Sequence, residues 1–193
     1  FAGYIHIVYQ SMRSSAIRND GLGHVTPAKR GFFASGSLNP ERYLFSRAEL
    51  QRLAELLRTP EVSVISPRLG VSGLLSNGRV STIFIAEGER PADANVLRQP
   101  AADAPRLDPA KPDSGVISKG LAQMLGATAG SNLVAFTSTL AGQTNALDLD
   151  VGALWDTGIE ATNDKSVRLP LAFVQKLLDT DGASRVAVLP KDE

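Results

Sequence analysis

The sequence contains no cysteine and only two histidines, His6 and His24. The absence of cysteine excludes thiol catalysis, cysteine-ligated zinc and disulfide bonds. A hydrolase triad would need one of the two histidines, yet no G-x-S-x-G elbow occurs anywhere in the chain, and His6 lies in a strand-like run. We therefore expect no catalytic residue and interpret the chain as a protein that is not an enzyme.

The chain also lacks an excess of charge and a long apolar run. Twenty basic and twenty acidic residues give a net charge of zero, so there is no broad positive field to attract nucleic acid. No segment approaches the roughly 18–20 consecutive apolar residues that span a bilayer. The chain begins without Met, just before a predicted strand, and stops just past another. This pattern predicts a domain cut from a larger protein.

Two sequence patterns resemble a nucleotide-binding loop and a metal site, but neither is expected to bind its ligand. Residues 115–120 have two glycines at P-loop spacing, but Leu121 and Ala122 stand where Lys and Ser or Thr must contact phosphate and metal. Asp148 and Asp150 would lie on one strand face about 7 Å apart. A solvated strand face is the expected role of this pair, with a weak cation site as the alternative. We expect no cofactor and no metal.

The first third of the chain predicts a strand, a long loop, a helix and a second strand. Residues 4–9 are rich in the β-branched and aromatic side chains that favour strands. After a loop at 10–45 with several Gly and Pro residues, Ser46 and Glu49 form a capping box, which starts a helix with an apolar stripe. Residues 62–66 predict the next strand.

The last third repeats the strand–helix–strand order. A strand at 167–169 precedes Pro170, which is favourable at a helix start because its missing N–H needs no partner there. Apolar residues at helical spacing follow, and residues 185–189 predict a final strand. Each end of the chain therefore supplies one strand–helix–strand unit.

The middle of the chain is mostly β. Strands at 71–75 and 79–85 flank the pair Asn77-Gly78, which favours a type I′ turn and hence a hairpin. Residues 89–114 contain five prolines and predict an extended crossover without a helix. The other predicted elements are one short helix and two strands: a helix between Ser118 and Gly126, and strands at 133–137 and 147–155.

Together these elements predict an α/β (α+β) fold in two parts. The two strand–helix–strand units would form one layered subdomain from residues 1–70 and 158–193. Residues 71–157 would form a mostly β subdomain inserted into it.

Four stretches resemble the MacB-like periplasmic core domain of FtsX/MacB-type (LolC/LolE-like) ABC transporter permeases. They are GYIHI at 3–7, the hairpin block at 67–78, GVISKGLA at 115–122 with the Leu125-Gly126 that follows, and DTGI at 156–159 before Leu169-Pro170-Leu171. The resemblance implies a domain held between two transmembrane helices on the periplasmic side of a bacterial inner membrane. It also implies an outer α/β layer interrupted by a smaller β subdomain, as the element order predicts.

The resemblance implies partners as well. An ATP-binding cassette ATPase subunit or domain would drive the membrane helices of the full-length permease, which would pair with a second permease copy. The external domain would relay that movement to a periplasmic partner protein or to cargo such as lipoprotein, lipid, peptide or drug, and not to nucleic acid. Two alternatives remain open: a free-standing secreted binding protein and a hydrolase that uses loop 10–45.

Phe32 and Phe33 are the residues expected to contact cargo or a partner. They are adjacent in a loop between Gly31 and Gly36, so the two rings cannot easily enter the same core. One of them could serve as an exposed apolar anchor. The alternative is that both rings tuck beneath the loop and pin it down, because aromatic side chains bury readily.

Overall fold

The computed structural model describes residues 25–36, 40–97 and 105–191. The predicted strand at 4–9 and both histidines lie outside the described residues. Seven strands are described: β1 (Val62–Ser76), β2 (Ser81–Glu89), β3 (Ser114–Ser118), β4 (Asn132–Ser138), β5 (Thr144–Trp155), β6 (Ser166–Pro170) and β7 (Arg185–Pro190). The described helices are α1 (Phe32–Ser35), a 3₁₀ turn (Pro40–Tyr43), α2 (Arg47–Leu57), α3 (Pro91–Leu97), α4 (Lys119–Leu125), α5 (Glu160–Asn163) and α6 (Leu171–Leu178). The predicted α/β fold class is confirmed.

The described strands form one sheet that closes on itself. The strand order is β2-β6-β3-β5-β4-β1-β7, and β1 pairs with β2 as well. Six strands therefore form a ring, and β7 lies outside it along the first half of β1. β6, α6 and β7 make a crossover that passes the β1–β2 hairpin, since β6 pairs with β2 and β7 with β1. Because the sheet is closed, its inner face surrounds the core and its outer face points away from the core.

β1 runs without a break through Pro67 and across the predicted boundary at 70/71. Pro67 lies opposite Val186 of β7, whose N–H points away from β1 and donates to the Pro27 carbonyl. Pairing with β2 starts only at Arg68. The missing N–H of Pro67 therefore breaks no sheet hydrogen bond, so the strand tolerates proline here.

Two apolar clusters form the described core. The larger one takes residues from all six strands of the ring and from α4 and α6, and the smaller one joins Val64, Leu97, Ala187 and Leu189 of β1, α3 and β7. Both clusters mix residues from the two parts that the sequence predicts as separate subdomains. The division into 1–70 plus 158–193 and 71–157 also assigns residues beyond the described ones, and it stays a prediction.

α3 occupies a segment that the sequence predicted to be free of helix, and that part of the prediction is wrong. Pro91 is the first helical residue, where a missing N–H has no cost. The other prolines of the segment follow Leu97, so none interrupts the helix. Ala94 and Leu97 are buried, and this packing offsets the weak local preference for helix.

The β1–β2 hairpin is confirmed, but its turn is not the predicted type I′. That turn needs a positive φ at both central residues, whereas Gly78 has a φ of 86° and Asn77 does not have a positive φ. The Asn77 carboxamide organises a longer connection instead. Its Oδ1 accepts hydrogen bonds from the N–H groups of Arg79 and Val80, both 2.8 Å long.

The two predicted serine caps have different outcomes. Ser46 forms the complete capping box with Glu49 at the start of α2, as predicted. Ser118 occupies the cap position of α4, but its side chain makes no capping hydrogen bond. Ser118 ends a buried strand, and its hydroxyl is enclosed rather than turned towards the helix. Gly126 ends α4 in the left-handed conformation, as predicted.

Candidate contact surface

The outer face of the ring exposes four large apolar side chains on three adjacent strands. They are Leu74 of β1, Ile83 and Ile85 of β2, and Phe136 of β4, and between 36% and 62% of each is exposed. Leu74 lies directly opposite both Ile83 and Phe136. Ile85 follows Ile83 by two residues on the same face. We call these four residues the outer patch.

The outer patch departs from the usual pattern of a sheet with one solvated face. Leu75, Phe84 and Ala135 alternate with patch residues, point inwards and are no more than 1% exposed. Outward positions of such strands are normally polar. A contiguous set of apolar side chains there is the feature that marks contact surfaces in folded proteins.

A groove of about 940 Å³ begins at the outer patch. Three patch residues, Leu74, Ile85 and Phe136, form part of its wall. None of the described lining residues is charged; the polar ones are hydroxyl side chains, namely Ser72, Thr137, Ser138, Thr139, Thr144 and Ser184. A groove of this lining suits an uncharged, largely apolar group.

The groove opens where two strands leave part of β1 without a neighbour. β7 pairs with β1 as far as Arg68 and β4 pairs with it from Leu74 onwards, both on the edge opposite β2. Residues 69–73 lie between them on that edge. Two hydrogen bonds close the ends of this gap: Thr137 Oγ1 donates to the Ser72 carbonyl at 2.7 Å, and the Ser184 N–H donates to the Arg68 carbonyl at 2.8 Å.

The structure places the two predicted contact residues differently. Phe32 is half-buried and lines the groove, whereas 77% of Phe33 is exposed. The rings meet edge to face with their centroids 5.2 Å apart. Gly31 starts α1 with a φ of 90°, and a Cβ on Gly36 would lie 2.5 Å from the Phe32 carbonyl oxygen. Glycine therefore suits both ends of this short helix, Gly31 because of its backbone conformation and Gly36 because a side chain would not fit.

Two ion pairs lie on the strands that border the groove. Arg68 and Glu89 form an ion pair in which each side chain is 1% exposed. Glu87 and Arg185 form a second, partly buried pair. Glu87 lies on β2 and Arg185 on β7, so this pair joins the two strands that flank β1. Each of the two pairs is therefore neutral overall.

The outer patch was missed at the level of sequence, although a signal for it exists. The runs at 74–75 and 83–85 are apolar at consecutive positions, so they place apolar side chains on both faces of their strands. Such runs are typical of strands that are covered on both sides. Nothing local, however, indicates that β4 adds Phe136 to the same surface.

The acidic pair that the sequence offered as an alternative cation site lies on an exposed strand face. Asp148 and Asp150 are both exposed on one face of β5, and Asn132 Nδ2 donates to Asp150 Oδ1 at 3.0 Å. No group of three or more His, Asp or Glu residues within 25–36, 40–97 and 105–191 is arranged to hold a metal. The Arg168 guanidinium stacks on the Trp155 ring, 4.5 Å from its centroid.

The sequence matches no protein-family model and no curated protein. Two solved structures are similar in fold. The extracellular domain of the noncanonic ABC-type transporter YknZ from Gram-positive bacteria is 15% identical, with a TM-score of 0.57 over 77% of this chain and 74% of that chain. The periplasmic region of MacB from Actinobacillus actinomycetemcomitans is 11% identical, with a TM-score of 0.58 over 90% and 78%.

At these identities the similarity establishes the fold. No helix in the described part of the chain has both the length and the apolar character needed to cross a membrane. The chain has the fold of the MacB-like extracytoplasmic domain, and this confirms the resemblance found in the sequence.

Proposed function

We propose that this chain is the extracytoplasmic domain of an ABC transporter permease and that it couples ATP-driven movement of transmembrane helices to cargo or to a partner protein. The fold that it shares with the YknZ and MacB domains supports the kind of protein. The uncharged groove that continues into the outer patch is the single observation that carries the contact role. In this proposal the domain binds its partner and catalyses nothing.

The closed sheet suits a domain that passes on movement. Its six strands surround a continuous packed cluster to which α4 and α6 also contribute. Packed interiors are difficult to compress, so a displacement at one end of such a body moves the other end with it. An ATPase subunit or domain, acting through the membrane part of the permease and a second permease copy, would supply that displacement.

The groove and the outer patch would take an apolar part of the cargo or partner. Lipoprotein, lipid, peptide and drug cargoes all offer such a part, and an uncharged groove admits it without leaving a buried charge unpaired. Phe33 would add an exposed anchor beside the groove, while Phe32 shapes its wall.

The test replaces exposed apolar side chains in the full-length permease. Ile85→Ser removes one residue of the outer patch, and Ile159→Ser, at a similarly exposed isoleucine outside the groove lining, is the matched control. We expect Ile85→Ser and Phe33→Ser to lower transport several-fold with a thermal midpoint within a few degrees of the parent, because surface changes are usually within about 0.5 kcal/mol. Equal transport by Ile85→Ser and Ile159→Ser would contradict the proposal.

A further inference from the structure

We infer that a short extended polypeptide segment of the cargo or partner binds in the groove as an added strand along a free edge of β1. The inference rests on the proposed contact role and narrows it to one chemical class of ligand. The free edge consists of residues 69–73, between the end of the β7 pairing at Arg68 and the start of the β4 pairing at Leu74. Strand edges of this kind bind extended chains through main-chain hydrogen bonds.

The direction of the main-chain groups along this edge follows from the β1–β2 register. The Ile85 N–H donates to the Lys165 carbonyl, away from β1. Ser72, the partner of Ile85, therefore directs its own N–H and C=O away from β2, and so does Gly70, two residues earlier. The Ser72 carbonyl agrees with this direction, since it accepts a hydrogen bond from Thr137 Oγ1 on the β4 side.

Three main-chain groups in the gap have no partner within residues 25–36, 40–97 and 105–191: the N–H and C=O of Gly70 and the N–H of Ser72. Both residues are exposed. β4 and β7 run antiparallel to β1, and a segment in the same direction would exchange two hydrogen bonds with Gly70 and accept a third from Ser72. An acyl chain has no donors or acceptors in this pattern, so the edge selects a polypeptide.

The groove accepts side chains on both faces of such a segment. Leu69 and Val71, which belong to the core inside the ring, lie on its inner side together with Leu178 of α6. Leu74 and Phe136 of the outer patch lie on its outer side. Successive side chains of a strand point to opposite faces, and the described lining holds no charge. We therefore expect uncharged side chains, apolar or hydroxyl-bearing, at the positions that enter the groove.

Calorimetric titration of the 193-residue chain with a capped peptide of three Thr-Val repeats tests the inference. We expect saturable binding, weakened on the order of tenfold or more by Gly70→Pro, because the N–H is lost and the proline ring takes its place on the free edge. Pro67 shows that β1 tolerates proline where the N–H has no sheet partner. Gly70→Ala is the matched control: it keeps the N–H, its Cβ meets nothing within 4 Å, and binding should stay within about twofold. Thermal melts confirm that both variants are folded.

Two methylated forms of the peptide test the added strand without changing the protein. One carries N-methyl groups on its threonines and the other on its valines. The N–H groups of alternate residues in a strand point to opposite edges, so one methylated peptide should lose binding and the other should keep it. No binding of the parent peptide, equal binding of the two methylated forms, or equal binding by Gly70→Pro and Gly70→Ala would overturn the inference.

Other occupants of the groove give different results. Binding of octyl glucoside below its micelle concentration, without binding of the peptide, would assign the groove to an acyl chain and overturn the inference. A dimer that Gly70→Pro converts to a monomer would assign the edge to a second copy and overturn it as well. If the peptide fails to bind while Ile85→Ser still lowers transport, the contact role stands and the added strand alone is wrong.

Discussion

Two helices that the sequence predicts from similar signals pack in very different ways. α6 buries five of its eight residues, whereas α2 buries none of its eleven. α6 is held by the strands on both sides, since it connects β6 to β7 directly across the β1–β2 hairpin. α2 has the better cap but is separated from the sheet by a cavity. A helical pattern therefore identifies the inward face of a helix, while the distance to the sheet depends on the chain connections.

The largest expected effect compares the same substitution in both helices. Leu177→Ala in α6 removes a fully buried side chain and should lower the free energy of unfolding by about 2–5 kcal/mol. Leu53→Ala in α2 removes a half-buried side chain beside a cavity and should cost about 1 kcal/mol. Urea unfolding of both variants measures the difference, and equal losses would show that α2 is packed as tightly as α6.

A glycine pair tests how closely α6 approaches the sheet. A Cβ on Gly88 of β2 would lie 2.9 Å from the Val174 side chain of α6, so Gly88→Ala should cost about 1–3 kcal/mol through overpacking. The control is Gly70→Ala on β1, where an added Cβ meets nothing within 4 Å. That change should stabilise the fold by up to about 1 kcal/mol. A neutral Gly88→Ala, measured by the same unfolding assay, would mean that α6 does not lie against Gly88.

The two predicted caps give a smaller contrast. Ser46→Ala removes a side chain that accepts a hydrogen bond from the Glu49 N–H at 3.3 Å, and it should lower stability by about 1 kcal/mol. Ser118→Ala removes a buried hydroxyl without a hydrogen-bond partner among the described residues, so no loss is expected. Differential scanning calorimetry distinguishes the two, and a larger loss for Ser118→Ala would contradict the assignment.

The smallest expected effect is a pH dependence of stability that comes from the exposed cap of α2. A hydrogen bond and ion pair with Lys29, together with the Ser46 N–H, lower the pKa of Glu49 from 4.5 to about 2. Because the folded-state pKa is depressed, the capping contribution is complete above about pH 4.5 and is lost as the pH falls towards 2. Carboxyl NMR titration of Glu49 should show this midpoint, and Lys29→Gln should raise it. A midpoint near 4.5 in the parent chain would contradict the cap geometry.

Local signals predicted the elements whose hydrogen bonds and packing are local. The capping box at Ser46, the helix after Pro170 and the β1–β2 hairpin all follow from side chains within a few residues of one another. The predictions failed where distant parts of the chain decide. The strands predicted at 62–66 and 71–75 are one continuous strand, because Pro67 lies opposite Val186, far along the chain, at a position where its missing N–H breaks no sheet hydrogen bond. α3 forms because Leu97 packs against β1 and β7.

In the contact surface, too, the sequence predicted what nearby residues determine and missed what distant parts of the chain determine. The Gly-flanked pair Phe32-Phe33 was visible in the sequence as a candidate, but its separation into one groove-lining and one exposed ring depends on the surrounding fold. The outer patch depends on the pairing of Leu74 with Phe136, which closes the ring. No pattern within either strand specifies that register, because it joins residues more than sixty positions apart.

Site-specific photocrosslinking in the full-length permease during ATP turnover is the most direct test of the contact role. A photoreactive residue at Ile85 reports on the outer patch, and one at Val96, an exposed valine of α3 outside the groove lining, is the control. We predict an ATP-dependent crosslink from Ile85 to cargo or to a partner protein, and none from Val96. Crosslinks from Val96 alone, or equal yields from both positions, would contradict it.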